Sequence, residues 1–411
     1  MPMSRRGLLG SAAAALPILG VRPGFAQTSG WTLKIGVLTD LSGPYQDVAG
    51  PLAIAAAQLA TEDFGVASKG FKVEILQADH QNKADIGAGI ARQWFDREGV
   101  DIIVEVANSA VGLAVAGVAK DKNKVYINSG AATSDLTAAA CNANTIHWAY
   151  DTYMLAKSTG GAMVKAGGDS WFFITADYAF GQALQRDVTG FVTEAGGKVV
   201  GGVKYPFPGT TDFSSLLLQA QSSGAKVLGI ANAGADTVNT IKQAQEFGIG
   251  GKMKLAGLLV FISDIHSMGL QVAQGLALTN SFYWDLNDRT RAFSERLKPK
   301  SPARRATMVQ AGTYSSVLHY LKVASAMGIA QAKQDGAATV VQLKATPTED
   351  DAFGPGKIRV DGRKIHPSYL WEVKSPSESK GPWDYYKPIG STPADQAFRP
   401  LDKGGCALAG V

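Results

Sequence analysis

The sequence predicts an α/β protein of two doubly wound lobes, each a mostly parallel sheet with helices on both faces. Three observations predict it. Short apolar runs of strand length alternate, from Thr32 to Tyr283, with stretches whose apolar residues recur at helical spacing. The chain has 411 residues, more than one hydrophobic core usually supports. Two turns, Ala107-Asn-Ser-Ala110 and Ala231-Asn-Ala-Gly234, sit at the same place in each half, just past a strand and just before a helix.

The first lobe opens with a strand at Leu33–Thr39, a turn at Asp40–Tyr45 and an Ala-rich helix over Pro51–Phe64. Phe71–Leu76 alternates as a strand should, and Asp79–Asp85 caps a helix over Ile86–Asp96. The apolar run Ile102–Val106 then passes through Asn108 and Ser109 into Val111, Leu113, Ala114, Val115 and Val118 at helical spacing. A strand at Val125–Asn128 ends in the small polar turn Ser129–Ser134. In a parallel sheet these two turns lie at one edge, so two helix starts with free N–H groups face one crevice, a place for a small polar or anionic molecule.

The second lobe repeats the units. Strands are expected at Trp171–Thr175, Lys198–Tyr205, Lys226–Ile230, Leu255–Phe261 and Leu276–Tyr283, with helices at Gln182–Ala195, Phe213–Gln221, Thr237–Phe247 and Ser263–Gln274. The lobes join near residues 150 and 283. Helices follow at Arg289–Lys298, Thr307–Met327 and Ala337–Lys344, then short strands around the Asp361-Gly362 turn, and an irregular tail from Lys387. The first lobe is expected to hold residues 31–149 and 284–352, the second 150–283 and 353–386, with 387–411 as a tail.

Residues 1–26 resemble a twin-arginine export signal: Ser4-Arg-Arg-Gly-Leu-Leu, the apolar run Leu8–Val21, then Gly24-Phe-Ala26. A membrane anchor fits less well, because the run falls short of the roughly 20 residues a span needs and Pro17 interrupts it. Cleavage near Ala26 removes Arg5, Arg6 and Arg22 and no acid, so the net charge falls from +5 to +2. With no Lys/Arg block left, neither nucleic acid nor anionic lipid is an expected partner. Cys141 and Cys406 are the two cysteines. In an exported chain a bond between them would pin the tail to the first lobe, the alternative being two free thiols.

Catalytic and cofactor motifs are missing. No G-x-S-x-G precedes a helix and no Walker A loop exists. Gly248-Ile-Gly-Gly lacks the third glycine of the dinucleotide fingerprint, where Met253 stands. His80, His147, His266, His319 and His366 are scattered, with no metal spacing among them. No enzyme activity, cofactor or metal is expected.

Nearly the whole chain after residue 30 resembles the type I periplasmic solute-binding proteins of the branched-chain amino-acid ABC transport class. The resemblance is carried by Ile35-Gly-Val-Leu-Thr-Asp-Leu-Ser-Gly-Pro44, Gly99-Val-Asp-Ile-Ile-Val104, Ile127-Asn-Ser-Gly-Ala-Ala-Thr133, Asp212-Phe-Ser-Ser-Leu216, Gln243–Gly248, Gly275-Leu276, Phe353-Gly-Pro355 and Asp361-Gly362. It implies two lobes joined by three hinge crossovers that close on a ligand and pass it to a membrane permease, the protein being a soluble periplasmic monomer. In that class a ligand carboxylate is held at positions matching Ser109, Ala131 and Thr133, beside Asn108 and Ala132, and the second lobe contributes at Phe180 and Ala233, beside Asn232. Two departures stand out. Phe180 replaces a usual tyrosine, and the glutamate that pairs with an amino acid's ammonium has no counterpart near Leu259. The expected ligand is therefore a small organic acid or amide without an α-ammonium. Tyr45, Tyr150, Tyr178, Phe180 and Phe261 would suit an aromatic body, or else pack the hinge and core. Asp236 would accept a ligand hydrogen bond or cap its own helix. The competing readings are a soluble sensor for a membrane kinase or chemoreceptor, a true branched-chain amino-acid binder, and an exported enzyme on the same scaffold.

Overall fold

The computed structural model describes residues 30–410. The export signal expected at residues 1–26 lies outside them. Five parallel strands form the first sheet: β1 (Thr32–Thr39), β2 (Lys72–Asp79), β3 (Ile102–Glu105), β4 (Val125–Asn128) and β5 (Thr145–His147), in the order β2-β1-β3-β4-β5. Four more form the second: β6 (Ser170–Ala176), β7 (Lys198–Tyr205), β8 (Val227–Ala231) and β9 (Lys254–Gly257), in the order β7-β6-β8-β9. Each lobe thus begins on the strand second from the edge, and the winding reverses there. Loops leaving β1 and β3, or β6 and β8, diverge and open a crevice at the carboxyl ends of the strands.

Burial follows position in the sheet. Every residue of β3, β4, β6 and β8 is buried, as expected for strands covered on both faces. The edge strands β2 and β7 instead alternate between more and less exposed residues along much of their length. The long helix Met308–Met327 packs against the helix Gly50–Phe64 and against β3, with Tyr314, Val317, Leu321 and Ala324 in the core of the first lobe.

Beyond the two parallel sheets the structure corrects several expectations. A helix at Thr152–Lys165 covers the second lobe where none was expected, its pattern diluted by Ser158, Thr159, Gly160 and Gly161. The run Leu255–Phe261 is strand only to Gly257, after which Leu258–Phe261 forms the turn into the helix Ile262–Met268. β10 (Ala277–Asn280) leaves the parallel sheet and forms one edge of a separate three-stranded sheet with two later strands. The hairpin of β11 (Lys357–Ile358) and β12 (Lys364–Ile365) was assigned to the second lobe but borders the first, where His147 N donates to Gly362 O at 2.9 Å. β13 (Ser368–Val373) then runs antiparallel to β10. β14 (Tyr386–Thr392), expected as irregular tail, pairs with β13 across a register shift, its outer position tolerating Pro388.

Arg363 holds the crossing point. It is fully buried and donates to Trp148 O at 2.9 Å and Tyr150 O at 3.0 Å, the two carbonyls that lead from one lobe to the other. Cys141 and Cys406 form a disulfide, which fastens the end of the chain to the first lobe. Among the described residues no helix is long and apolar enough to cross a membrane, and no cluster of His, Cys, Asp or Glu could hold a metal.

Candidate functional site

Where the carboxyl ends of the two sheets face each other, the lobes are closed on a narrow cavity of about 10 Å³, room for about one water molecule, so a larger guest enters only as they part. Nearly every residue that lines it directly follows a strand. Tyr45 follows β1, Ala107 and Ser109 follow β3, Gly130 and Ala132 follow β4, and Tyr150 follows β5. From the other side come Tyr178 and Phe180 after β6, Ala233 after β8, and Leu259 and Phe261 after β9. Val48 and Val309 complete the lining.

The turns of the first lobe are fixed by side chains that bond back to their own backbone. Asp40 accepts from Gly43 N at 2.6 Å, Tyr45 N at 2.8 Å and Asn82 Nδ2 at 2.7 Å, and so sets the Tyr45 ring against the cavity. Asn108 caps the helix Ser109–Asp121 by accepting from Ala110 N and Val111 N at 2.9 and 3.1 Å. Asn128 closes the next turn, accepting from Ala131 N at 2.8 Å and donating to Ala131 O at 2.7 Å. Thr133 N donates to Ser109 Oγ at 3.1 Å, which joins the two turns and leaves the Ser109 hydroxyl hydrogen to donate to a guest. Tyr150 donates to Gly130 O at 2.6 Å.

The second lobe presents a different wall. Phe180, Ala233, Leu259 and Phe261 are all buried and offer ring or aliphatic surface. Phe261 is held by Asp264, whose carboxylate accepts its N–H at 2.8 Å. Asn232 points away, accepting from Thr237 Oγ1 at 2.7 Å and donating to Thr240 Oγ1 at 3.1 Å. Asp236 accepts from the Tyr205 hydroxyl at 2.7 Å, and burial pushes its carboxyl up to about 6. The lobes touch across the mouth, where Tyr45 and Tyr178 hydroxyls are 2.5 Å apart and Ala235 N donates to Pro44 O at 3.2 Å. Phe207 stacks on both tyrosines, its ring centre 5.4 Å from Tyr45 and 4.4 Å from Tyr178.

Of the residues expected at the site, the structure brings Tyr45, Ser109, Ala132, Tyr150, Tyr178, Phe180, Ala233 and Phe261 to the cavity. Asn108, Ala131, Thr133, Asn232 and Asp236 stand behind it, because each is occupied with the backbone or a neighbour in its own lobe. Ala107, Gly130, Val48 and Val309 also line it and were not among the expected residues. Nothing local marks Val48 and Val309, since they reach the cavity only through the packing of distant segments. No acidic or basic side chain is among the lining residues.

A family model described as periplasmic binding protein matches residues 32–382. A solved periplasmic binding protein from Burkholderia mallei is 49% identical with a TM-score of 0.88, over 92% of this chain and 99% of that one. A solved branched-chain amino-acid ABC transporter periplasmic ligand-binding protein from Burkholderia xenovorans LB400 is 39% identical with a TM-score of 0.79, over 92% and 100% of the two chains. A solute-binding protein of an ABC transporter from R. palustris, solved in complex with benzoate, is 20% identical with a TM-score of 0.80, over 92% and 100%. At that identity the likeness is one of fold.

Proposed function

We propose, because this chain belongs to the periplasmic binding protein family, that it is the periplasmic receptor of an ABC importer and carries a small aromatic carboxylate to the permease unaltered. One observation carries the ligand class: the cavity combines a hydroxyl and helix-start turns on one wall with rings and aliphatic groups elsewhere, and its lining includes no charged side chain. An α-amino acid would bring an ammonium with no counter-charge into that space, at a cost of several kcal/mol. A carboxylate needs no cation there, since the start of the helix Ser109–Asp121 supplies dipoles and Ser109 a donor. The faces and edges of Tyr150, Phe180 and Phe261 suit a flat body. The benzoate complex of the R. palustris protein supports the same class on the same fold.

Closure over the guest supplies the signal. The contacts of Tyr45 with Tyr178 and of Pro44 with Ala235 join the lobes, so a ligand that fits between them favours the closed shape that a permease would read. The second reading, a branched-chain amino-acid receptor, is favoured by the B. xenovorans relative. Calorimetry with benzoate, 4-hydroxybenzoate, leucine and valine separates the two. Saturable heats with the aromatic acids and none with leucine or valine are expected; the reverse pattern overturns the proposal.

A further inference from the structure

We propose that Glu105 is held as an uncharged acid beneath the two turns that face the guest, and that its ionisation expels an anionic ligand. The proposal rests on the reading of the cavity as a carboxylate site. Glu105 ends β3, is fully buried, and neither of its carboxyl oxygens makes a well-formed hydrogen bond among the described residues, the Thr39 hydroxyl and the Val106 N–H being the donors closest to it. Its φ is +78° and that of Val106 is +62°, the left-handed region that a β-branched residue strongly resists. Two such residues in succession store backbone strain, which tends to persist where a site needs it.

That backbone directs the side chain under the cavity floor. A Cβ built on Gly130 would stand 2.2 Å from Glu105 Oε1 and 2.7 Å from Ala107 Cα, and both Gly130 and Ala107 line the cavity. One layer of backbone therefore separates the carboxyl from a guest. The Glu105 carbonyl also accepts from Ser129 N and Gly130 N, each at 3.2 Å, so the residue joins the turn after β3 to the turn after β4. Only glycine fits at position 130 with this carboxyl in place.

The charge of that carboxyl decides what the turns can hold. Burial pushes it up to about 8 against the pull of the Thr39 hydroxyl, and Asp40 adds to the rise. The other titratable groups facing it are the phenols of Tyr126 and Tyr150, which burial and Glu105 hold well above their ordinary range. No cation is among these groups. At neutral pH the acid keeps its proton and the turns present the positive end of the helix Ser109–Asp121 and the Ser109 hydroxyl, which attract an anion. Once the proton leaves, two like charges share a poorly screened space.

Benzoate affinity measured from about pH 7 to about pH 9 tests this. By linkage, the wild-type protein is expected to bind about tenfold more weakly at the upper end, whereas E105Q gives a flat profile whatever its affinity, and benzamide gives a flat profile with both. Lys364 also titrates near this window, burial between the Trp148 and Phe353 rings pushing it down to about 8. E105Q keeps that lysine, so a drop surviving in the variant assigns the effect elsewhere and overturns the proposal. Infrared spectra give a second readout that needs no ligand: a protonated carboxylic acid band at neutral pH that E105Q removes. A missing band, or a flat wild-type profile, also overturns it. Absence of any benzoate binding at neutral pH overturns the ligand reading itself, and this one with it.

Discussion

The two walls of the cavity stand on sheets whose first four strands follow the same order, yet they are built in opposite ways. In the first lobe Asp40, Asn108 and Asn128 spend their hydrogen bonds on the turns that carry them, and the polar groups that reach the cavity are backbone, the Ser109 hydroxyl and the phenols of Tyr45 and Tyr150, beside Val48, Ala132 and Val309. In the second, Asn232 and Asp236 turn to Thr237, Thr240 and Tyr205, and what reaches the cavity is Phe180, Ala233, Leu259 and Phe261. On the proposed reading one wall orients a polar end and the other measures shape. Shared topology supplies the crevice, but its polarity is set by which side chains are already satisfied elsewhere.

The most direct way to break this contrast is to give the second wall a charge. Leu259 is 2% exposed, so Leu259→Glu would place a carboxylate in an apolar surround and beside any bound anion. Benzoate affinity should fall at least about a hundredfold, about 3 kcal/mol, and leucine should gain measurable binding as its ammonium finds a partner. Calorimetry on the variant decides it. Unchanged benzoate affinity would mean that the second wall does not discriminate by charge.

The contrast also marks how far the sequence could be read. Alternating periods located β1 to β4 and β6 to β8 closely but not the three-residue β5, and the rule that crevices open at strand ends placed Ser109, Ala132, Tyr178 and Ala233 near one another. The helix Thr152–Lys165 was missed because Gly160 and Gly161 weaken its pattern, and β14 because Pro388 and Gly390 read as loop. Asp236 looked like a ligand group, since position on a turn was visible and its bond to Tyr205, 31 residues away, was not. Glu105 escaped notice for a related reason: an apolar run ending in one acid shows neither the positive φ nor the burial that sets it apart.

Asp236 offers a sharper test of the second wall. Its carboxyl is pushed up to about 6 by burial, above the ordinary value near 3.8. The protonated form is thus the favoured one in the folded state, so the stability linked to this group is complete below about pH 4 and is lost as pH rises through about 6. The loss amounts to about 3 kcal/mol for a shift of this size. In Asp236→Asn that slope should vanish from denaturant titrations between about pH 4 and pH 7 while benzoate affinity stays within about twofold, because the residue stands behind the cavity. A tenfold loss of affinity would move Asp236 into the site.

The smallest effect concerns the place where the walls meet. Tyr45 and Tyr178 share one hydrogen bond of 2.5 Å across the lobes, while the stacking of Tyr178 on Phe207 needs only its ring. Tyr178→Phe therefore removes a bond made on closing, keeps the packing, and leaves the buried Tyr45 hydroxyl without this partner. Affinity should fall about fivefold, about 1 kcal/mol, through faster ligand release. Tyr45→Phe should do the same, and the double variant should lose no more than either alone, since both remove a single interaction. Additive losses would show that each hydroxyl contacts the guest separately, and that the polar work is shared between the walls.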